Sequence, residues 1–500
     1  MITEKRPVIL LICDGLGHRF SNEKNAIARA ATPNIYRLWD KYPRALLPAS
    51  GEEVGLPLGQ MGTSEANHLI IGSGRIVRQN LAKINLAILN KSLSKNPVLL
   101  KTINHVKKNK SNLHLLGMIG PGGVHSHSDH FKFIIETAKK LGVEKIILQI
   151  FTDGRDTPPQ SALDHLQDLK KFLNEVGSGK IASLAGRYWG MDRDNNRHRI
   201  EKYFQVLIGR SETFFSSPEK IIRKAYQMKI NDEFIEPARI QGGQTINKND
   251  GVIFVNFRAD RAKQLTHRLV NEKIENLYFA TMTRYDEQSS LPVIFPPEKI
   301  TNTLSEVLSQ HGLKQLRLTE TEKFSHLTFF FNAQRFQPDP GEDRIMIQSN
   351  KDVKSHDQKP EMKALEIVSN LKKALPQKKY QFIVINLVNC DIIGHTGNWP
   401  AILKAVETVD QAVGSIFRAA QKNNVDLIVT ADHGNAERTF DWRSRQAMTA
   451  HTLSPVPFIL ISKRYKKINR SIGLLSDIAP TILKILDLPI PEEMTGRSFI

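Results

Sequence analysis

The residues of this chain best suited to chemistry stand at the ends of apolar runs. Val8 to Cys13 is a continuous apolar stretch that stops at Asp14. Phe382 to Cys390 stops at Asp391, and Leu427 to Ala431 stops at Asp432. One aspartate closing a strand and entering a turn would be unremarkable. Here two of the three are followed closely by histidine: Asp391-Ile392-Ile393-Gly394-His395 sets a carboxylate and an imidazole four apart, and Asp432-His433 places them side by side. His451 follows in Thr449-Ala450-His451-Thr452. Mixed oxygen and nitrogen donors suit Mn²⁺, Zn²⁺ or a similar ion better than calcium or a thiolate-bound metal. A metal pair needs a nucleophile, and Met61-Gly62-Thr63-Ser64-Glu65-Ala66-Asn67-His68 offers one. The glycine permits close backbone approach, and a serine opening a helix has free N–H groups aimed at an incoming phosphoryl oxygen. Alone, such a serine is more often an N-cap; beside metals it becomes a nucleophile at neutral pH.

The elements that must position these residues follow from periodicity. The three apolar runs read as strands buried on both faces of a parallel sheet. Between the last two, Ile402, Leu403, Val406, Val409, Val413, Ile416 and Phe417 recur at the helical period. Strand, helix, strand is a parallel α/β unit, and in such sheets ligands bind beyond the carboxyl ends of the strands. From about Gln79 to Pro297 a second α/β pattern runs, with a helix expected over Phe131–Leu141, Gly142 as its stop and a strand over Glu144–Phe151. Gly72-Ser73-Gly74 and Pro292 to Pro297 bracket this block as linker signals. If the first strand joins the late ones, the block is an inserted domain.

Composition limits the alternatives. Five hundred residues with 40% hydrophobic content can build more than one core. Lys and Arg exceed Asp and Glu by 70 to 51, a net +19, which raises the question of anionic partners. The basic residues are spread along the chain, however, and no zinc-finger spacing or RNA-recognition pattern accompanies them, so nucleic acid is not expected. Two cysteines form no disulfide framework and fit a reducing compartment. The N-terminus lacks the shape of a secretory leader, and no apolar stretch approaches the roughly 20 residues of a membrane span. A cytoplasmic protein with no membrane partner is expected.

Taken in order, the motifs closely resemble the cofactor-independent phosphoglycerate mutases of the alkaline-phosphatase superfamily. The likeness runs nearly end to end. It rests on Asp14-Gly15, Met61 to Arg75, Gly122 to His127, Asp153-Gly154-Arg155-Asp156, Gly186-Arg187-Tyr188-Trp189 and Asn256 to Arg261. Glu320 to Lys323, Asp391 to Gly397, Asp432 to Glu437 and Glu493 to Gly496 continue it. The resemblance implies an alkaline-phosphatase-like, mostly parallel sheet sandwiched by helices. That metal-binding domain would be formed by residues 1–78 and 299–500, with a substrate-binding α/β domain inserted at 79–298. It implies that Asp391, His395 and His451 hold one metal, and Asp14, Ser64, Asp432 and His433 the other. Lys323 would reach the phosphoryl group, while His125, Arg155, Asp156, Arg187, Arg193, Arg258 and Arg261 bind the phosphoglycerate.

The activity so implied interconverts 3-phosphoglycerate and 2-phosphoglycerate, a step of glycolysis and gluconeogenesis, through a phosphoserine on Ser64. Asp156 is the candidate to exchange protons with the glycerate hydroxyls. Two Mn²⁺ are expected, with Co²⁺, Mg²⁺ or Zn²⁺ as alternatives, and no 2,3-bisphosphoglycerate. The enzyme is expected to be a monomer whose inserted domain closes on hinges near 73–79 and 297–303 to exclude water. A phosphatase or another phosphomutase of the superfamily is the rival reading, because the metal set alone does not select among them. The chain departs from the family pattern at Thr63, where Asn is usual, at Ala66-Asn67, where Val-Gly is usual, at Cys390 in place of Pro, and at Gly120-Pro121 in place of Ser-Asp. Cys13 and Cys390 are read as small buried strand residues pointing away from the aspartates that follow them.

Overall fold

The computed structural model describes residues 6–442 and 445–500, which form two compact units, one of the described residues up to 79 and from 299 onward and the other of residues 80–298. No helix among the described residues is long and apolar enough to cross a membrane.

The discontinuous unit is built on a seven-stranded sheet in the order Glu342–Ile347, Gln315–Glu320, Phe382–Leu387, Val8–Cys13, Asp426–Thr430, Val456–Ile461, Arg44–Leu47. The first five strands are mutually parallel; Val456–Ile461 runs against both of its neighbours. Val8–Cys13 lies centrally and all its side chains are buried, so both faces of the sheet are covered, as a continuous apolar run requires. The 24-residue helix Trp399–Lys422 crosses between the strands Phe382–Leu387 and Asp426–Thr430 and buries Ile402, Val406, Val409, Val413 and Ile416 in the core.

Two local expectations differ from the structure. The strand expected to reach Cys390 ends at Leu387, and Val388, in helical conformation, leads into a short helix Asn389–Gly394 that carries Asp391 in its first turn. An apolar run does not distinguish a buried strand from the buried helix that continues it. Cys390 is therefore a helical residue, although it is fully buried, as is Cys13. Gly72-Ser73-Gly74 is a helix end: Gly72 and Ser73 belong to the helix Ser64–Ser73, and Gly74, at φ +64°, caps it.

The contiguous unit has an eight-stranded sheet in the order Val293–Phe295, Tyr278–Thr283, Gly251–Phe254, Leu113–Met118, Ile146–Thr152, Lys180–Gly186, Ala238–Ile240, Phe214–Phe215. Only the Lys180–Gly186 and Ala238–Ile240 pairing is antiparallel. Pro292 to Pro297, read above as a linker signal, thus contains an edge strand. The helix expected over Phe131–Leu141 runs from Ser128 to Lys140, and Gly142 follows at φ +82°. Its apolar interior is separate from that of the first unit.

Candidate active site

In the first unit the strand ends converge. Asp14 follows the central strand, and its N–H donates to Leu387 O of the adjacent strand at 3.0 Å. Asp432 follows the neighbouring strand on the other side. Asp391 and His395, four apart on one short helix, fall on the same face, with 3.1 Å between Asp391 Oδ1 and His395 Nε2. His451 Nε2 lies 3.2 Å from the same oxygen and 3.2 Å from His395 Nε2. Ser64 opens its helix at the first position after the N-cap Thr63, whose hydroxyl accepts from Ala66 N. Ser64 Oγ is 2.8 Å from His433 Nε2 and accepts from Lys323 Nζ at 2.6 Å. The Lys323 ammonium also touches Asp14 Oδ1 at 2.9 Å and Asp391 Oδ2 at 2.7 Å.

The electrostatics of this group call for more positive charge. Asp14, Asp391 and Asp432 are buried and face one buried ammonium. Burial and the Asp432 carboxylate push the Asp14 carboxyl well above its usual range. Burial also opposes ionisation of Asp391, but Lys323 and His395 outweigh it and hold that carboxyl low. Burial brings His433 down to about 4, so the ring is neutral with a lone pair to offer.

Two donor sets fit divalent metal ions: Asp391, His395 and His451, and Asp14, Asp432 and His433. His395 Nδ1 lies on Thr449 O at 2.6 Å and His451 Nδ1 on Gly62 O at 2.8 Å. A carbonyl only accepts, so each Nδ1 donates and each Nε2 points at the shared Asp391 oxygen, the atom that would face an ion once it gives up its hydrogen. Asp432 Oδ2 is buried without a hydrogen-bond partner, a cost that a cation would remove.

In the second unit the arginines and their partners gather after strand ends. Arg187 follows the strand Lys180–Gly186; it is buried and donates to Asp153 Oδ1 at 2.7 Å and Asp156 Oδ2 at 2.5 Å. Asp153 Oδ1 also accepts from the backbone N–H of Arg155 and Asp156, which fixes that loop. His125 Nε2 stands 3.9 Å from Asp156, and its Nδ1 3.7 Å from Asp260. Burial and Arg187 hold His125 down at about 4. Asp260 is bracketed by Arg258 at 3.1 Å and Arg193 at 3.5 Å. Arg261 donates to Met191 O at 3.2 Å, and its acidity is raised by burial and by Arg187, Arg193 and Arg155. Arg155 is half exposed and pairs with Glu233 at 3.5 Å.

Such a surplus of guanidinium groups in one place suits a ligand with several anionic oxygens. The segment 84–287 matches the family model described as the BPG-independent PGAM N-terminus, and 307–453 matches that of type I phosphodiesterase / nucleotide pyrophosphatase. The 2,3-bisphosphoglycerate-independent phosphoglycerate mutase of Clostridium botulinum is 44% identical over 99% of both chains. Its counterpart from Thermosynechococcus vestitus is 45% identical over 99% of this chain and 95% of its own. The chain belongs to the 2,3-bisphosphoglycerate-independent phosphoglycerate mutases. Likeness in structure agrees: the phosphoglycerate mutase of Leishmania mexicana, solved at low cobalt concentration, is 28% identical with a TM-score of 0.62, over 99% of this chain and 98% of its own. As a phosphoglycerate mutase this chain is an isomerase, and its sheet between helices with a second α/β unit is the alkaline-phosphatase-like class expected.

Several residues packed into these two clusters escape a reading by sequence. His68 and Asn386 are fully buried against Ser64 and Asp14. Asn435 donates to Asp391 Oδ1 at 3.4 Å. Asp153 and Asp260 lie inside quoted motifs, yet what they do, holding arginines apart and in place, needs coordinates. The signals present were His68, one helical turn from Ser64, and Asn386, a polar break in an apolar run. The departure at Asn67 is accommodated: its amide donates to Ala49 O at 3.1 Å and Asp432 O at 2.7 Å, tying the serine helix to the aspartate strand end.

Proposed function

We propose that this mutase interconverts 3-phosphoglycerate and 2-phosphoglycerate through a phosphoserine on Ser64, with two divalent metal ions and without 2,3-bisphosphoglycerate. The observation that carries the reading is the convergence of Lys323 Nζ and His433 Nε2 on Ser64 Oγ at 2.6 and 2.8 Å, beside three buried aspartates. Asp391, His395 and His451 would hold one ion, and Asp14, Ser64, Asp432 and His433 the other. When bound, such ions neutralise charge on phosphoryl oxygens and acidify the serine hydroxyl. Mn²⁺ is the expected ion, Co²⁺, Mg²⁺ and Zn²⁺ being its rivals.

The chain's own residues do the rest. Ser64 Oγ, held at the positive end of its helix, attacks phosphorus, and Lys323 offers its ammonium to the transferring oxygens, work of positioning and electrostatics. Arg155, Arg187, Arg193, Arg258 and Arg261 bind the carboxylate and phosphate oxygens of the substrate, and His125 adds a donor. Asp156, anchored by Arg187, exchanges protons with the two glycerate hydroxyls, so the group leaves one and returns to the other. Water must stay out between these events, or the phosphoserine hydrolyses. Closure of the 79–298 domain on the segments near 73–79 and 297–303 belongs to this proposal, as do a monomeric state and a cytoplasmic, glycolytic role. Supplying 3-phosphoglycerate and Mn²⁺ without 2,3-bisphosphoglycerate and following phosphorus NMR tests it. The expected product is 2-phosphoglycerate; inorganic phosphate alone would make the protein a phosphatase.

A further inference from the structure

His68 and Asn386 stand outside both proposed ligand sets, yet they bridge two members of one of them, Ser64 and Asp14. His68 lies four residues after Ser64 on the same helix face, and its Nδ1 is 2.8 Å from Ser64 O. That carbonyl only accepts, so Nδ1 carries the hydrogen, and His68 Nε2 is left as an acceptor. Asn386 Nδ2 lies 3.0 Å from that Nε2 and 2.8 Å from Asp14 Oδ2. Both neighbours accept, which fixes the amide: its nitrogen faces them, and Asn386 Oδ1 is left buried without a partner. A flipped amide would set oxygen against carboxylate in a buried place.

The bridge therefore runs from the Ser64 carbonyl through His68 and Asn386 to one oxygen of Asp14. It has a directional effect. With Oδ2 tied back, Asp14 turns Oδ1 toward Lys323 Nζ at 2.9 Å and His433 Nε2 at 3.5 Å, the same two atoms that meet Ser64 Oγ. A cation between Ser64 and Asp14 tolerates only about 0.5 Å of error in its donors. Here those donors come from a helix and a strand end distant in sequence.

We propose that His68 and Asn386 are positioning residues, which join the serine helix to Asp14 and present a single Asp14 oxygen beside Ser64 Oγ. The inference rests on the reading of Ser64 as nucleophile and of Ser64 and Asp14 as ligands of one ion. Groups in this relation to a metal typically change affinity or activity about 10–100-fold when altered.

The test compares two substitutions in the full chain. Asn386→Asp keeps the shape but puts an acceptor where both neighbours need a donor. His68→Asn retains a donor near the Nδ1 place and loses the acceptor for Asn386. Each should lower kcat about 10–100-fold and weaken Mn²⁺ binding, measured by calorimetry, about tenfold, while KM for 3-phosphoglycerate stays within about twofold. Values are taken per folded molecule, from thermal melts of the same samples. Parental kcat and Mn²⁺ affinity in the folded fraction would overturn the inference, because a purely structural bridge alters only how much protein folds. Ser64→Ala, run alongside, separates the two levels: inactive Ser64→Ala with parental bridge variants removes the bridge alone, whereas turnover by Ser64→Ala removes the phosphoserine reading and the bridge with it.

Discussion

Three buried carboxylates around one buried ammonium make Lys323 the side chain on which the first unit's site depends electrostatically. Burial alone would release its proton, but Asp14, Asp391 and Asp432 hold the ammonium charged well above its usual range. Lys323→Met keeps the stem and deletes the charge. It should lower kcat about 10²–10³-fold, the usual cost of losing one electrostatic donor to a transition state. Steady-state kinetics with 3-phosphoglycerate at saturating Mn²⁺ read this; a loss below tenfold would remove Lys323 from the phosphoryl site. At this scale Asp14, Asp432 and Ser64 were legible from sequence only as a set: three apolar runs close on an aspartate, two with histidine close behind, and a Gly62-Thr63-Ser64 helix start accompanies them, whereas any one alone would read as a turn or an N-cap. His68 and Asn386 were not, since their partners are a carbonyl and a carboxylate that only folding supplies.

The short segments between elements carry the geometry. Gly15 sits at φ +78°, its N–H lies 3.4 Å from Asp432 Oδ1, and its carbonyl accepts from Asn435 and Ala436. A Cβ there would stand 2.6 Å from Asp391 N, so one glycine lets the segments carrying Asp14, Asp391 and Asp432 close together. Gly15→Ala should destabilise the fold by about 1–3 kcal/mol and reduce Mn²⁺ affinity, read by denaturation and calorimetry. Glu320 ends the strand that leads into Thr321–Lys323; it is buried, with Oε2 accepting from Ser349 Oγ at 2.9 Å. Burial lifts its carboxyl from the ordinary 4.5 to about 7. The folded protein thus keeps a proton that the unfolded chain releases above pH 4.5. This contributes stability at low pH that is lost as pH rises to about 7, after which no more is lost. Glu320→Gln should therefore gain stability relative to the parent between pH 4.5 and 7, reaching about 3 kcal/mol by pH 8, as followed by urea denaturation across pH. Strands and the long helix were readable from period and length. The end of the strand at Leu387 was not, because Val388 and Cys390 are as apolar in the following helix as they would be in a strand.

At the scale of the molecule, apolar clusters that each stay within one unit, and a contiguous 80–298 unit, suggest a direct dissection. Expressed alone, 80–298 should fold cooperatively by circular dichroism and show no mutase activity, since Ser64 and every proposed metal ligand lie outside it. Mn²⁺ at about one hundred times its Kd should stabilise the full chain by about 2.7 kcal/mol and leave the isolated 80–298 unit unchanged, and chelation should reverse the gain. Equal stabilisation of both would place the metal elsewhere. The net charge of +19 conveyed less than the motifs: the guanidinium groups that matter are grouped by the fold after strand ends, and the composition hides that grouping among surface lysines. During turnover the phosphoryl group is expected on Ser64. Acid-quenching the enzyme during turnover of 3-phosphoglycerate with Mn²⁺, then mapping peptides by mass spectrometry, reads it most directly. Phosphate on the peptide containing Ser64, absent without substrate and absent in Ser64→Ala, is the predicted result; conversion to 2-phosphoglycerate by Ser64→Ala at the parental rate would contradict it.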